Sequence, residues 1–237
     1  MANTPIDIII LSYTKTRKEY DMTTDCINSF KNSINVSPNI ILIETNKKVA
    51  QFRDVYKVNT LIVPNVEFNY NQFLNFGLLE TKNDYILISN NDVIYKPNCL
   101  HVLSQKLIEK YDSVSPIDLS TRAELLDMDD IVGYKIGKTL TGWSFMFKKS
   151  ILTKIGYFDE QFSFWYQDND YLNWLQKCNL KHALIPTAHI THLYQQSHHL
   201  LTAEELYQKT HGSLKLFEEK WKNWDTVQPI LNPNKNK

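Results

Sequence analysis

The chain has 237 residues, of which 43% are hydrophobic and 12% aromatic, and its formal net charge is zero. This length fits one large domain, or one domain with a small appendage, and the hydrophobic content is enough for a substantial core. A neutral total shows no sign of the basic surface that binding to nucleic acids or anionic membranes usually requires.

Further composition features narrow the class of protein. The three cysteines are scattered, without metal or disulfide spacing, and the N-terminus lacks the pattern of a signal peptide. No apolar run approaches the roughly 20 residues of a membrane span. We therefore expect a cytoplasmic protein with no membrane segment. The chain has only six glycines, with no G-x-G-x-x-G and no P-loop, which argues against dinucleotide dehydrogenases and P-loop NTPases.

The first half of the sequence alternates short apolar runs with amphipathic stretches. The runs predict strands at 6–11, 40–43, 58–63 and 85–88, and the stretches between them predict helices at 20–31, 49–55 and 69–80. Because each strand is apolar throughout, both faces of the sheet should be covered, as in a parallel α/β fold. The polar loops after the strands should then lie at one edge of the sheet, where ligands bind in such folds.

The second half is less regular. It predicts a helix at 97–111, a polar loop or short helix at 118–136, a strand at 141–147 and a helical turn at 151–155 that is closed by Gly156. A helix at 171–178, a strand at 182–185 ended by Pro186, and a long helix at 202–224 follow. We divide the chain into residues 1–200, with halves 1–96 and 97–200, and a C-terminal helix with a polar tail at 201–237.

Three short polar residues, Asn90, Asn91 and Asp92, end the fourth predicted strand. A carboxylate with oxygen-bearing neighbours at this edge suits a hard cation such as Mg²⁺ or Mn²⁺. The same residue types also favour plain turns, so the motif alone leaves a structural role open.

Two further groups carry chemistry. Asp168 and Asp170 stand at the start of a predicted helix, where one of them could act as a general base whose pKa is raised by partial burial. Aspartate is equally favoured there as a capping residue. Histidines recur after the chain's last predicted strand, where one of them could bind a metal ion or all four could be solvated loop residues: His189, His192, His198 and His199.

In their order, these pieces resemble the family 2 glycosyltransferases, which are inverting enzymes of the GT-A fold that use nucleotide sugars. The resemblance covers residues 6–199, and Asn90-Asn91-Asp92 is similar to the Asp-x-Asp variant of rhamnosyltransferase-like members. The other matching motifs are Ser12-Tyr13-Thr14, Glu44, Asn75-Phe76-Gly77, Gly142, Gly156-Tyr157-Phe158-Asp159-Glu160-Gln161-Phe162, Gln167-Asp168-Asn169-Asp170 and His192. Two positions depart from the family pattern, since Asp92 is the only acid of its motif and Gln167 replaces a glutamate.

The resemblance implies an α/β protein of the GT-A fold, with a mostly parallel, Rossmann-like central sheet flanked by helices and a C-terminal helical segment. It implies a metal-dependent transfer of a sugar, with Asp168 as general base and Mn²⁺ or Mg²⁺ as cofactor. The metal ligands would be Asp92 and His192. The donor, a nucleoside diphosphate sugar, would contact Ser12, Tyr13, Thr14, Glu44, Asn75, Asn90 and Asn91. The acceptor side would include Trp143, Trp165 and Tyr166.

The sequence leaves the acceptor and the activity itself open. A glycan is the commonest acceptor in the family, and a protein or a modified DNA base are the alternatives. A catalytically silent GT-A-like module that only binds a nucleotide or glycan is a different class of function, and the single acid of the Asn90-Asn91-Asp92 motif is compatible with it.

Overall fold

The computed structural model describes residues 3–48, 56–163, 165–193 and 203–233, with the backbone alone at 203–209. The helix predicted at 49–55, the predicted helix start at Thr202, and His198 and His199 lie outside these ranges. Within them, no helix is both long and apolar enough to cross a bilayer.

The first half of the chain has the predicted alternation of strands and helices. The strands are β1 (Thr4–Ser12), β2 (Val36–Glu44), β3 (Thr60–Ile62) and β4 (Tyr85–Asn90), and the helices are α1 (Arg17–Lys31) and α2 (Tyr70–Leu79). These strands lie side by side in the order β3-β2-β1-β4, and all three neighbouring pairs are parallel. Their carboxyl ends therefore meet at one edge, where Ser12 pairs in register with Glu44 and Leu11 with Asn90.

The second half extends the same sheet but mixes strand directions. Its elements are β5 (Val93–Tyr95), α3 (Cys99–Glu109), β6 (Ser113–Asp118), β7 (Ile131–Val132), β8 (Ser144–Lys148), α4 (Leu152–Ile155), α5 (Gln167–Lys177), β9 (His182–His192) and α6 (Ala203–Trp221). In the described chain the sheet has nine strands, in the order β3-β2-β1-β4-β8-β6-β9-β5, with β7 paired to β9. β8 is antiparallel to both β4 and β6, and β9 is antiparallel to β5 and β7, whereas β6 and β9 are parallel, so the second half of the sheet is mixed.

Several predictions for the second half were incomplete or wrong. β5 and β6 were not predicted, the segment 118–136 that was predicted as a polar loop or short helix contains β7, and α5 begins at Gln167 rather than 171. The strand predicted to end at Pro186 continues to His192. Proline is tolerated there because the pairing shifts: Ile185 pairs with Pro116, while His189 pairs with the next residue of β6, so residues 186–188 form an irregularity that needs no ladder hydrogen bond.

Helices cover both faces of the sheet, as the apolar strands predict. In β1, Ile8 belongs to a core cluster that includes Phe30 of α1 and Leu103 of α3, whereas the next residue, Ile9, belongs to a second cluster. The second cluster contains apolar residues of α2, α5 and α6 on the opposite face, including Phe76, Trp174 and Trp221. The result is a three-layer α/β/α arrangement, in which the carboxyl ends of the parallel strands β1, β2 and β4 lie at one edge of the sheet.

Candidate functional site

Asp92 and His192 lie next to each other although they are a hundred positions apart in the sequence. β5 pairs antiparallel with the end of β9, which sets Val93 opposite His192 and brings the preceding aspartate beside it. Asp92 Oδ1 and His192 Nε2 are 3.2 Å apart, and the two side chains are only 9% and 10% exposed. The indole of Trp143 stacks on the imidazole, with 5.1 Å between ring centroids. The pair is therefore held rigidly at the edge of the sheet.

The separation of this pair is that of a direct hydrogen bond, and it is also compatible with a shared metal ion. Two ligand atoms that bind one ion side by side, each at about 2.1 Å, lie about 3 Å apart, close to the observed separation. Among the residues that the structure describes, no group of three or more His, Cys, Asp or Glu side chains could enclose an ion. An ion held by Asp92 and His192 would thus take its other ligands from substrate phosphates and water, which is usual for Mg²⁺ and also suits Mn²⁺.

Asp168 lies on the first turn of α5 and faces Gly142. A Cβ atom built on Gly142 would come within 2.7 Å of Asp168 Oδ2, so the absence of a side chain at position 142 makes room for the carboxylate. Burial raises the pKa of the Asp168 carboxyl above its ordinary value, and backbone hydrogen bonds, including one of 2.9 Å from Asn169 N–H, offset part of this effect. A raised pKa brings a carboxylate closer to the value that a general base needs.

The segment Gly142-Trp143 connects the two carboxylates. Asn90 N–H donates to the Trp143 carbonyl at 2.9 Å, which joins the end of β4 to this segment. Gly142 faces Asp168, whereas the Trp143 ring lies on His192. Both carboxylates also act on Tyr70: burial raises the pKa of its hydroxyl most, and the charges of Asp168 and Asp92 raise it further. Asp92 and Asp168 therefore lie near the two ends of the Gly142-Trp143 segment, and we refer to the region between them as the cleft.

The loop after β1, which was predicted to hold the donor, is held in shape by hydrogen bonds to the side chain of Glu44. Glu44 is fully buried and accepts hydrogen bonds from the backbone N–H of Thr14 (3.1 Å) and of Asn46 (2.8 Å). The Tyr56 hydroxyl bonds both Thr14 Oγ1 (2.8 Å) and Glu44 (3.3 Å). Glu44 thus fixes the shape of this loop, rather than pointing into solvent towards a nucleoside.

Of the three residues Ser12, Tyr13 and Thr14, Tyr13 is the exposed one. Its side chain is 50% exposed, whereas Ser12 is 3% exposed and shares its hydroxyl with Thr14 and Thr23. The ammonium of Lys15 lies over the ring of Tyr13, 4.4 Å from the ring centroid. The exposed face of Tyr13 is therefore the part of the Ser12-Tyr13-Thr14 motif that a ligand can reach directly.

The three asparagines of the predicted donor site have different surroundings. Asn75 is fully buried and exchanges hydrogen bonds with both the N–H and the carbonyl of Phe158, at 3.0 and 2.9 Å. Asn91 donates from Nδ2 to Thr23 Oγ1 at 2.9 Å, which ties the turn after β4 to α1. Asn90 is partly buried at the strand end. Asn75 thus supports the segment that leads into α5, while Asn90 and Asn91 remain at the edge of the cleft.

The three predicted acceptor-side aromatics do not form one cluster. Trp143 lies on His192, as described above. Trp165 and Tyr166 are partly buried before α5, where the backbone of Tyr166 is left-handed at φ 66°. The Tyr166 ring contacts Phe217 of α6, with centroids 5.4 Å apart. A non-glycine residue in this conformation costs of order 1–3 kcal/mol, and such residues concentrate at functional sites.

Sequence reasoning missed a buried charge cluster next to the candidate base. Lys220 of α6 lies 2.8 Å from Asp159 Oδ2 and 2.8 Å from Asp170 Oδ1, and Trp221 Nε1–H also donates to Asp170 at 2.8 Å. Burial still raises the pKa of Asp170, although Lys220 and Trp221 oppose this. Asp170 is therefore occupied in holding α6 against α5, which leaves Asp168 as the accessible carboxylate of the motif.

Asp118 was missed because its strand was missed. It ends β6, is 1% exposed, and accepts hydrogen bonds from Ser120 Oγ at 2.8 Å and from His192 N–H at 3.3 Å. It thereby positions the backbone of His192. An aspartate at the end of a buried strand would have been a recognisable signal had residues 113–118 been predicted as a strand.

Comparison of the chain with models of protein families and with curated proteins found no match in either case. The structure is that of an α/β protein with a mixed sheet, and its polar cleft lies at the carboxyl edge of the parallel strands β1 to β4. The chemistry of the cleft follows from its own residues: a rigid carboxylate–imidazole pair on one side of Gly142-Trp143 and a carboxylate of raised pKa on the other.

Proposed function

We propose that this protein is an inverting glycosyltransferase of the GT-A type, which moves a sugar from a nucleoside diphosphate sugar to an acceptor hydroxyl. One observation carries the proposal: Asp92 and Asp168 border the same cleft but have different surroundings. Asp92 is paired with His192. Asp168, in contrast, has no hydrogen bond to a cationic side chain among the residues that the structure describes, and its pKa is raised. Two carboxylates in unlike environments are the usual basis for dividing charge stabilisation from proton transfer.

In the proposed reaction Asp168 accepts the proton of the acceptor hydroxyl as that oxygen attacks the anomeric carbon of the donor. The new C–O bond forms on the face opposite the leaving diphosphate, the bond to the diphosphate oxygen breaks, and the configuration inverts. Asp92 and His192 would hold a Mn²⁺ or Mg²⁺ ion, which neutralises charge on the diphosphate when it is bound. The side chains at the ends of β1 and β4, including Tyr13 and Asn90, would contact the donor.

The sheet supports this orientation of the substrates. The loops after β1, β2 and β4 meet at the carboxyl edge, where nucleotides bind in open α/β sheets. Asp168 lies on the first turn of α5, and Trp165 and Tyr166 come just before that helix, where the Tyr166 ring packs against Phe217 of α6. We therefore place the donor against β1 and β4, and the acceptor against the start of α5.

A screen of nucleoside diphosphate sugars, read by thermal shift with and without Mn²⁺, would identify the donor, because a bound ligand stabilises the folded state. Release of nucleoside diphosphate and NMR of the product then test transfer and inversion. Asp92→Asn and His192→Ala should raise the Mn²⁺ concentration needed for half-maximal rate, and Asp84→Asn, an exposed change at the far end of β4, is the matched control. Full activity in EDTA would contradict the metal assignment.

The second candidate is a binding module without turnover. It is favoured by the scarcity of acidic ligands, since Asp92 is the sole acid in its motif, and by the internal bonding of Glu44 and Thr14. Tight donor binding together with no release of nucleoside diphosphate, under conditions where Asp168→Asn binds equally well, would support the module over the enzyme.

A further inference from the structure

A narrow crevice opens beside the candidate base. Its walls are the apolar side chains of Leu74, Phe145 and Phe158 and the more polar groups of Tyr70, Gly142, Gln167 and Asp168. It has room for about one water-sized group. The proposed chemistry uses only Asp168 of this set, so the polar groups around it require a separate explanation.

Gln167 is the most informative of these groups. Its Oε1 atom is enclosed and, among the residues that the structure describes, has no hydrogen-bond partner. A buried amide oxygen that stays unpaired costs about 1–3 kcal/mol, so an unpaired one next to a crevice indicates a ligand that pairs with it. The neutral amide also suits the position, because a carboxylate at 167 would compete with Asp168 for the proton.

Tyr70 lines the crevice together with Gln167 and Asp168. It begins α2, and its backbone N–H donates to the Ser163 carbonyl at 3.0 Å, which fixes the start of the helix against the segment before α5. A phenol can both donate and accept a hydrogen bond, whereas the oxygen of an amide can only accept. The two side chains together suit a small group that donates one hydrogen bond and accepts another, which is what a hydroxyl does.

We propose that Tyr70 and Gln167 form a subsite for a second hydroxyl of the acceptor, adjacent to the hydroxyl that Asp168 deprotonates. The inference rests on the proposed function and adds to it the residues that select the acceptor. Three apolar walls and the space for about one water-sized group exclude a charged or bulky substituent. The acceptor therefore carries two neighbouring hydroxyls, and the subsite fixes which of the two reaches Asp168.

Two substitutions test this with little change in shape: Gln167→Met removes the amide, and Tyr70→Phe removes only the hydroxyl. Gln176→Met is the matched control on the exposed side of the same helix, and Tyr85→Phe is the control at the amino end of β4. Acceptors are methyl glycosides of glucose, galactose, mannose and rhamnose, each with its monodeoxy analogues. Transfer is measured with the donor that wild-type protein turns over fastest.

Wild-type protein should lose about 10- to 100-fold in acceptor kcat/KM when one particular hydroxyl is removed. Gln167→Met should lose a similar factor with the intact acceptor, and it should no longer distinguish that deoxy analogue. The melting temperature of Gln167→Met should stay level with that of Gln176→Met or rise, because the change removes an unpaired buried oxygen.

Failure of the proposed function and failure of this inference would give different results. If wild-type protein turns over no donor, the proposed function fails. If it turns over donor but accepts no sugar of the panel, or Gln167→Met has the acceptor profile of its control, this inference alone is overturned. A crevice that merely holds a structural water would show in a different way: Gln167→Met would lower the melting temperature and slow transfer to every acceptor equally.

Discussion

The carboxylate of Asp168 occupies the space that a side chain on Gly142 would fill, since a Cβ atom there would lie 2.7 Å from Asp168 Oδ2. Gly142→Ala should therefore displace the carboxylate, which is the movable end of a side chain, and leave the backbone in place. Misplacing a catalytic group by about 1 Å costs about 100-fold in rate, and we expect a loss of that order in kcat.

The control for this prediction is Gly212→Ala in α6, where an added Cβ would meet nothing within 4 Å. Alanine replaces glycine favourably inside a helix, so this variant should keep its rate and gain slightly in stability. Comparable rates in Gly142→Ala and Gly212→Ala would show that Asp168 need not occupy its present position.

The raised pKa of Asp168 predicts opposite effects on rate and on stability. As a base it must be ionised, so the rate should rise with pH through a pKa above the ordinary aspartate value of about 3.9. Asp168→Asn should abolish this acid limb and lower kcat by about 10²- to 10⁴-fold. A pH–rate profile of both proteins measures this.

The free energy of unfolding should change with pH in the direction opposite to the rate. A carboxyl whose pKa is raised on folding contributes stability below its unfolded pKa, and that contribution is lost as the pH rises through the folded pKa. Asparagine imitates the neutral form at every pH. Asp168→Asn should thus melt higher than wild type at pH 7 and level with it at low pH, and a lower melting temperature at pH 7 would contradict burial of the charge.

Lys220 should be the most important cation for stability among those described. Lys220→Met would leave Asp159 and Asp170 buried without their counter-charge, which typically costs about 3–5 kcal/mol. Lys215→Met is the matched control on the same helix, because the Lys215–Glu219 pair is exposed and worth at most about 1 kcal/mol. Urea unfolding distinguishes the two, and equal midpoints would show that the buried cluster contributes little.

Glu44 should affect donor binding through the loop that it braces. Glu44→Gln replaces one accepting oxygen by an N–H group, which then faces the Thr14 and Asn46 donors or the Tyr56 hydroxyl. We expect a loss of about 1–3 kcal/mol in stability and a rise in donor KM. Glu67→Gln, an exposed change, is the control. A raised KM with unchanged stability would indicate direct contact with the donor instead.

The parts of the fold that could be predicted are those with an uninterrupted local pattern. β1 is apolar at five of the six positions 6–11, and burial of each such side chain contributes about 1.5–3 kcal/mol, so no other local structure competes. β6 has the sequence Ser-Val-Ser-Pro-Ile-Asp, in which polar residues and Pro116 hide a strand that is buried throughout. The direction of a strand could not be predicted from the sequence either, because the apolar run of β4 has the same pattern as that of its antiparallel neighbour β8.

The residues of the candidate site, too, could be predicted only where they follow a local sequence pattern. Asp92 and Asp168 follow recognisable strand-end and helix-start patterns, and the structure brings both to one cleft; their roles stay predictions. Glu44 was predicted as a donor contact because a strand-end carboxylate is visible in sequence, whereas its partner Tyr56 is not. Lys220 lies 50 residues from Asp170, and nothing in the local pattern of α6 marks that lysine as buried.

The buried cluster around Lys220 also sets an order of events during translation. Asp159 and Asp170 leave the ribosome with the segment that carries the candidate base, while the ammonium that neutralises them follows 61 and 50 residues later. Until then, both carboxylates stay hydrated, and the first turn of α5 has no reason to settle against the sheet. The first turn of α5 therefore depends on α6: a nascent chain completes this part of the fold only after residue 220 has left the ribosome.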